Sequence, residues 1–395
     1  MKTKFKLLVL PAIVLSATVV ASCSQDDIVN MVTQERPISF QSDITSRARA
    51  TTTANLNEIW VYAETQGEDG VESEVTISGD TFYKDEASQM FISAKDYYWP
   101  KTGTVNFFAL NLTPEIMGEI YNELPEGYAN EPFDASLETK PETFFTVVNS
   151  EQLLLYNYGT PGDVNKQSDI VIATASGTKE KDEKTGLTLN FNHALSQIVI
   201  KAKCIRNDGY EVTACNTAVA GVAETGTLSV KSSGMEWGMR YRSGGMMCYS
   251  IGLDKKLDSS SKIINDTPYM LIPDNLQAWD VKNDKTNTDK LAYLVLNVKI
   301  TKDGKQVYPD QENWTDDEIA ARIYSGEYGR VAIPFEINWE SGKKYIYTVD
   351  FSDGFGYYLP SDPTKPGEPI LGNPIKISSV EVEEWVDGDD LSVEA

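Results

Sequence analysis

Apolar residues recur at every second position through most of the chain. Ile38, Phe40 and Ile44 share one side of an extended segment with Ser42, while Ser39, Gln41, Asp43 and Thr45 take the other. This is the pattern of a half-buried strand. The same alternation predicts strands through Ile59, Val61 and Ala63, through Val105, Phe107 and Ala109, through Leu187, Leu189 and Phe191, and through Ile198, Ile200, Ala202 and Cys204. Further along it returns at Ala292, Leu294, Leu296, Val298 and Ile300, at Val331, Ile333, Phe335 and Ile337, and at Tyr345, Tyr347, Val349 and Phe351. Strands with one wet face belong to antiparallel sheets. Pro334 lacks an N–H and so places its strand at an edge or a bulge. Ile375 and Ile377 keep one phase and Val380 and Val382 the other, which predicts a bulge near Ser378 and Ser379.

Helices are expected to be few and short. Thr315 and Glu318 have the spacing of a capping box, with Trp314 and Ile319 placed as its hydrophobic staple. Thr113 before Pro114 starts a second, through Ile116, Met117, Ile120 and Tyr121. Ser150 is expected to cap a third, through Leu153, Leu154 and Leu155. Short strands separated by turn clusters favour an all-β fold of sandwiches over a parallel α/β sheet, and 395 residues suit two of them. The Gly/Thr/Lys/Glu-rich stretch 177–186 is the expected boundary. The organisation read from the chain is a leader over 1–22, a tether, first strand and cleavable linker over 23–53, an N-terminal sandwich over 54–186 and a C-terminal one over 187–395.

The leader is a secretory signal: Lys2, Lys4 and Lys6 precede an apolar run over residues 7–20, and small residues follow. Val20, Ala21 and Ser22 before Cys23 form a lipobox, so Cys23 is the expected site of lipid attachment. The acidic residues that follow, Asp26 and Asp27, resemble the export tag of Bacteroides-type surface lipoproteins. After the first strand, residues 46–53 are small and polar with Arg47 and Arg49 among them, a flexible linker open to a protease. Cutting there would leave Ile38, Phe40 and Ile44 on a separate, removable strand.

Charge and the scarcity of histidine narrow the function. Against 35 Lys and Arg stand 59 Asp and Glu, a formal charge of -24, which repels phosphate backbones and anionic lipid, so no nucleic-acid partner is expected. His193 is the single histidine, which removes two-histidine metal sites, and no GxSxG elbow, P-loop or GxGxxG after a strand accompanies it. Cys204, Cys215 and Cys248 lack metal-ligand spacing and read as buried thiols. Residues 280–289 lack the glycine and terminal glutamate of a calcium loop. No metal, no cofactor and no enzymatic activity are expected. Acidic pairs would serve a glycosidase, but none stands out. The alternative reading is a surface glycan-binding lipoprotein displaying Trp99, Trp237 or Trp279.

Six segments in order carry a resemblance: ISFQSDITSRARAT, YYWPKTGTVNFFAL, LNFNHALSQIVIKAK, YMLIPDNL, INWESGKKYIYTVDF and VEVEEW. Together with the lipobox they resemble the fimbrillin (FimA/Mfa-like) family of Bacteroides-type surface pili, from Cys23 to Trp385. The resemblance implies two transthyretin-like β-sandwich domains with a few short helices. It implies a structural and adhesive subunit of a bacterial fimbrium, carried to the outer membrane by its lipid, cut by an arginine-specific protease after Arg47 or Arg49, and joined to other fimbrial subunits by donor-strand exchange. A host or bacterial surface ligand fits the same picture. The short tail 387–395 departs from the pattern and points to a tip or accessory subunit, unless the strand over 375–385 is itself donated.

Overall fold

Alternation sorts each strand's side chains to two faces, and the sheets assemble by burying the apolar ones. The computed structural model of the protein describes residues 35–43, 56–66, 73–111, 145–149, 152–247, 252–372 and 374–385. Sheet A has eight strands. They are β1 (Phe40–Asp43), β2 (Glu58–Thr65), β3 (Glu74–Lys84), β4 (Phe91–Ser93), β5 (Val105–Leu110), β8 (Val171–Gly177), β9 (Leu187–Asn190) and β10 (Asn192–His193). Their order is β10-β8-β5-β2-β3-β4-β1-β9. Only Phe191 separates β9 from β10, yet these two stand at opposite ends of that order. The sheet therefore closes on itself at this corner, around a core that includes Ile38, Phe40, Ile59, Val61, Phe82, Phe107 and Leu189.

Strands β2, β5 and β8 bury their outer face as well. Trp60, Phe108, Leu110 and Ile172 pack against sheet B, whose order is β14-β13-β7-β6. Its strands are β6 (Phe145–Asn149), β7 (Gln152–Gly159), β13 (Thr225–Lys231) and β14 (Gly234–Tyr241). Here the expected helix from Ser150 is overturned. Leu153 and Leu155 lie in β7, opposite Val230 and Leu228, because their period-two spacing puts both into the core between sheets A and B. Ser150 itself lies outside the described residues, as do the expected helix start at Thr113 and the thiol Cys248.

The stretch 177–186 does not separate two sheets. Through the short helix α1 (Lys179–Asp182) it joins β8 to β9, so residues 187–193 complete sheet A. The second half of the chain builds a sandwich. One layer, sheet C, runs β17-β11-β25-β26 with β18 also on β11. Its strands are β11 (Ser196–Lys203), β17 (Lys262–Ile263), β18 (Tyr269–Leu271), β25 (Lys343–Asp350) and β26 (Lys376–Glu384). The facing layer centres on β12 (Tyr210–Ala220), β20 (Tyr293–Lys302) and β23 (Tyr328–Pro334). Ile198, Ile200, Tyr347 and Val349 meet Val212, Leu294, Leu296 and Ile333 between them.

Two local expectations hold in detail. In α2 (Asp316–Arg322) Thr315 and Glu318 form the capping box. On β26 Thr348 pairs with Ser379 and Val349 with Ile377, so Ser378 is the extra residue of a bulge. The expectation that Pro334 marks an edge or bulged strand is not met: β23 pairs with a strand on each side, and Pro334 is its last residue. It costs no interior ladder bond there.

Candidate functional site

Strand β1 is four residues long, yet it lies inside sheet A rather than on its edge. Phe40 pairs antiparallel with Phe91 of β4, and Phe40–Asp43 run parallel to Leu187–Asn190 of β9. Its backbone is used on both sides: the Ile38 N–H donates to the Tyr97 carbonyl at 2.7 Å, and the Leu187 N–H donates to the Ser39 carbonyl at 3.0 Å. The two inward side chains that the alternation predicts are buried completely, Ile38 at 1% exposure and Phe40 at 0%. The Phe40 ring stands edge-on to Phe82 and Phe107, with centroids 5.1 and 5.3 Å away. Such pairs add about 0.5–1.5 kcal/mol to the burial itself.

A turn grips the outer side of this strand. The Gln41 amide donates to the Thr185 carbonyl at 2.8 Å, the Arg36 guanidinium to the Lys184 carbonyl at 3.3 Å, and the Arg36 N–H to Glu183 Oε1 at 3.3 Å. Gly186 lets that turn come close: its φ is +78°, and a Cβ there would collide with Met90 Cε and lie 3.1 Å from the Ser39 carbonyl oxygen. Below it, Tyr97 donates its hydroxyl to Asp80 at 2.9 Å. Burial and that carboxylate together push the phenol up to about 12. Gly186→Ala is expected to cost about 1–3 kcal/mol through its left-handed backbone and the lost approach. Thermal unfolding, with faster hydrogen exchange at the Leu187 amide, checks it.

The other residues singled out from the sequence divide into two groups. Cys23, Ile44, Arg47 and Arg49 lie outside the described residues. The rest are in cores. Cys204 and Cys215 are buried, which pushes their thiols up to about 11 and about 12. Trp99, Trp237 and Trp279 are 4%, 4% and 2% exposed and display no ring to a glycan.

His193 is 6% exposed, bonds through Nδ1 to Asp169 at 2.8 Å and stacks on Trp385 at 4.2 Å. That arrangement ties the corner of sheet A to the residue following β26. No group of three or more potential metal ligands converges among the described residues. The arrangement with chemical consequence is the seat of β1, a slot whose floor is aromatic and whose two walls are the strand edges of β4 and β9. What sequence reasoning missed is the clasp at 183–186. Its one sequence signal was the Thr185–Gly186 turn before a strand.

A family model described as fimbrillin-like matches residues 46–385. Among solved structures, the chain is similar to a fimbrial protein from Bacteroides vulgatus, at 13% identity and a TM-score of 0.48, covering 89% of this chain and 100% of that one. It is also similar to the fimbrial anchor protein Mfa2 from Porphyromonas gingivalis, at 12% identity and a TM-score of 0.31, covering 89% and 98%. No curated protein matches it. With most of its length inside that one family match, the chain belongs to the fimbrillin-like family.

Proposed function

We propose that the protein is a structural and adhesive subunit of a surface fimbrium, exported as a lipoprotein through Cys23 and assembled when a cut after Arg47 or Arg49 frees β1 for replacement by a neighbour's strand. The observation that carries this reading is the position of β1, a short strand near the chain start seated between β4 and β9 with Ile38 and Phe40 buried. While it is covalently attached, the strand is held by its apolar residues, about 1.5–3 kcal/mol for each of the two. Ladder hydrogen bonds add about 1 kcal/mol apiece. Cutting the linker makes the strand a separate peptide, and its departure then gains translational freedom. The slot left behind has an aromatic floor and unpaired N–H and C=O groups on both walls, which an incoming strand satisfies by β-augmentation. The organisation that goes with this reading is an N-terminal sandwich built on sheet A and a C-terminal one built on sheet C.

Treating the purified precursor with a trypsin-like protease is expected to yield a stable fragment beginning at Ala48 or Ala50 that forms oligomers. Mass spectrometry and size-exclusion chromatography read the two parts. Digestion throughout the chain, or a cut chain that stays monomeric, would overturn the proposal.

A further inference from the structure

The seat of β1 makes three separate demands on any strand that fills it. The first is an aromatic ring at the second inward position. Phe40 stands opposite Phe91 across the ladder and meets Phe82 and Phe107 edge-on, and all four rings are buried. A smaller side chain would leave the other three without those contacts, because each is held in place by its own strand. The second demand is a small residue one position earlier. The clasp at 183–186 crosses β1 at Ser39, where a Cβ on Gly186 would lie 3.1 Å from the Ser39 carbonyl oxygen and 3.4 Å from Ser39 Oγ. A bulky residue in place of Ser39 would press against that turn.

The third demand is for hydrogen-bond donors. The clasp offers acceptors: Glu183 Oε1 takes the Arg36 N–H, the Lys184 carbonyl takes the Arg36 guanidinium, and the Thr185 carbonyl takes the Gln41 amide. A carboxylate at position 41 has no hydrogen to give and would set its charge against a carbonyl oxygen. Backbone pairing with β4 and β9 is open to any sequence, so side chains decide which strand is taken. We infer that the replacement for β1 is an extended segment of another subunit with a side-chain donor, a β-branched residue, a small residue, an aromatic residue and an amide donor at the places of Arg36, Ile38, Ser39, Phe40 and Gln41. This rests on the proposed release of β1 and adds the chemistry of the strand that succeeds it. The inner face selects by shape and the outer face by hydrogen bonding, so a strand that is merely apolar fits only half of the seat.

The test uses the full chain carrying Cys23→Ser, cut in the linker by a trypsin-like protease that is then inhibited. The probe is a labelled synthetic peptide of residues 35–43 in excess, and fluorescence anisotropy reports its entry in place of the resident strand. The native peptide is expected to bind and to suppress the oligomers seen by size-exclusion chromatography. Phe40→Ala in the peptide is expected to weaken binding at least about a hundredfold, the effect of emptying a buried phenylalanine site. Gln41→Glu, which keeps the shape of the side chain and exchanges its donor for a carboxylate, is expected to weaken binding about tenfold. A native peptide that never enters would overturn the release of β1 and this inference with it. Entry of either variant as tightly as the native peptide would leave the release standing and overturn the selectivity alone.

Discussion

Phe40→Ala is expected to lower the stability of the uncut protein by about 3–5 kcal/mol, the range for emptying a fully buried phenylalanine site. The ring has no exposed surface, and two aromatic neighbours meet it edge-on, so the site cannot collapse without moving Phe82 or Phe107 off their own strands. The effect should fall on β1 before the rest of the molecule. Opening of β1 alone takes up the same free energy as a rise in its opening equilibrium of roughly 10²- to 10⁴-fold. The Leu187 amide, which donates to the Ser39 carbonyl across that pairing, reports the opening as faster hydrogen exchange.

Gln41→Ala removes one hydrogen bond to the Thr185 carbonyl from the exposed side and is expected to cost only about 0.5–1.5 kcal/mol. Equal effects of the two changes would mean that the aromatic floor does not hold the strand. In the cut protein, Phe40→Ala is also expected to speed oligomer formation, since the outgoing strand then leaves a shallower energy well.

The alternation that announces β1, β20 and β25 in the sequence does so because each has distinct apolar and polar positions, or a core face strong enough to dominate. Strand β5 shows where that signal runs out: Val105, Phe107 and Ala109 supply one buried face, and Phe108 and Leu110 are buried on the other, under sheet B. Three consecutive leucines at 153–155 carry no period at all, and they form a strand rather than a helix because sheet B places the two outer ones in its core. Local geometry was readable where partners are near in sequence, as in the Thr315–Glu318 cap and the Ser378 bulge. It was not readable where they are distant. Ser39 and Leu187, or His193 and Asp169, meet only because sheet A closes on itself, and nothing in the composition of either segment names the other. For the same reason the inward positions Ile38 and Phe40 were legible, while the turn that clasps them was not.

Asp362→Ala is expected to cost about 3–5 kcal/mol, comparable to Phe40→Ala, by removing the more buried of the two carboxylates that pair with Arg322 and leaving Glu318, at 3.0 Å, as its remaining ion pair. Arg322, at the end of α2, is 2% exposed, and its guanidinium donates to Asp362 at 2.7 and 2.9 Å and to the Thr364 hydroxyl at 2.7 Å. Trp314 and Tyr358 lie against its two sides at 4.8 and 4.6 Å. This cluster pins the connection between β25 and β26, so the strand that carries Val380 starts from a fixed point. Removing the arginine as well, in Arg322→Met with Asp362→Ala, is expected to recover part of the loss, because an apolar side chain fills the site without a charge to compensate. Urea unfolding of the single and double variants measures both.

The pair also predicts an acid response. Burial by itself would raise the Asp362 carboxyl, but the hydrogen bonds from Arg322 and from the Lys365 and Thr364 backbone together outweigh it and hold the group below its ordinary range. A carboxyl lowered in the folded state contributes stability that is complete above its unfolded pKa of about 3.9 and is lost as pH falls through the folded value. Glu318, drawn down to about 2 by the Thr315 backbone and the Thr364 hydroxyl, loses its contribution over the same acid window. The parent should therefore weaken progressively below about pH 4, where Asp362→Asn, having no charge to lose at that position, should show a shallower decline. Identical slopes for parent and Asp362→Asn between pH 4 and pH 2 would show that the Asp362 carboxylate is not what fixes Arg322, and that Glu318, Thr364 and the aromatic contacts hold the connection into β26.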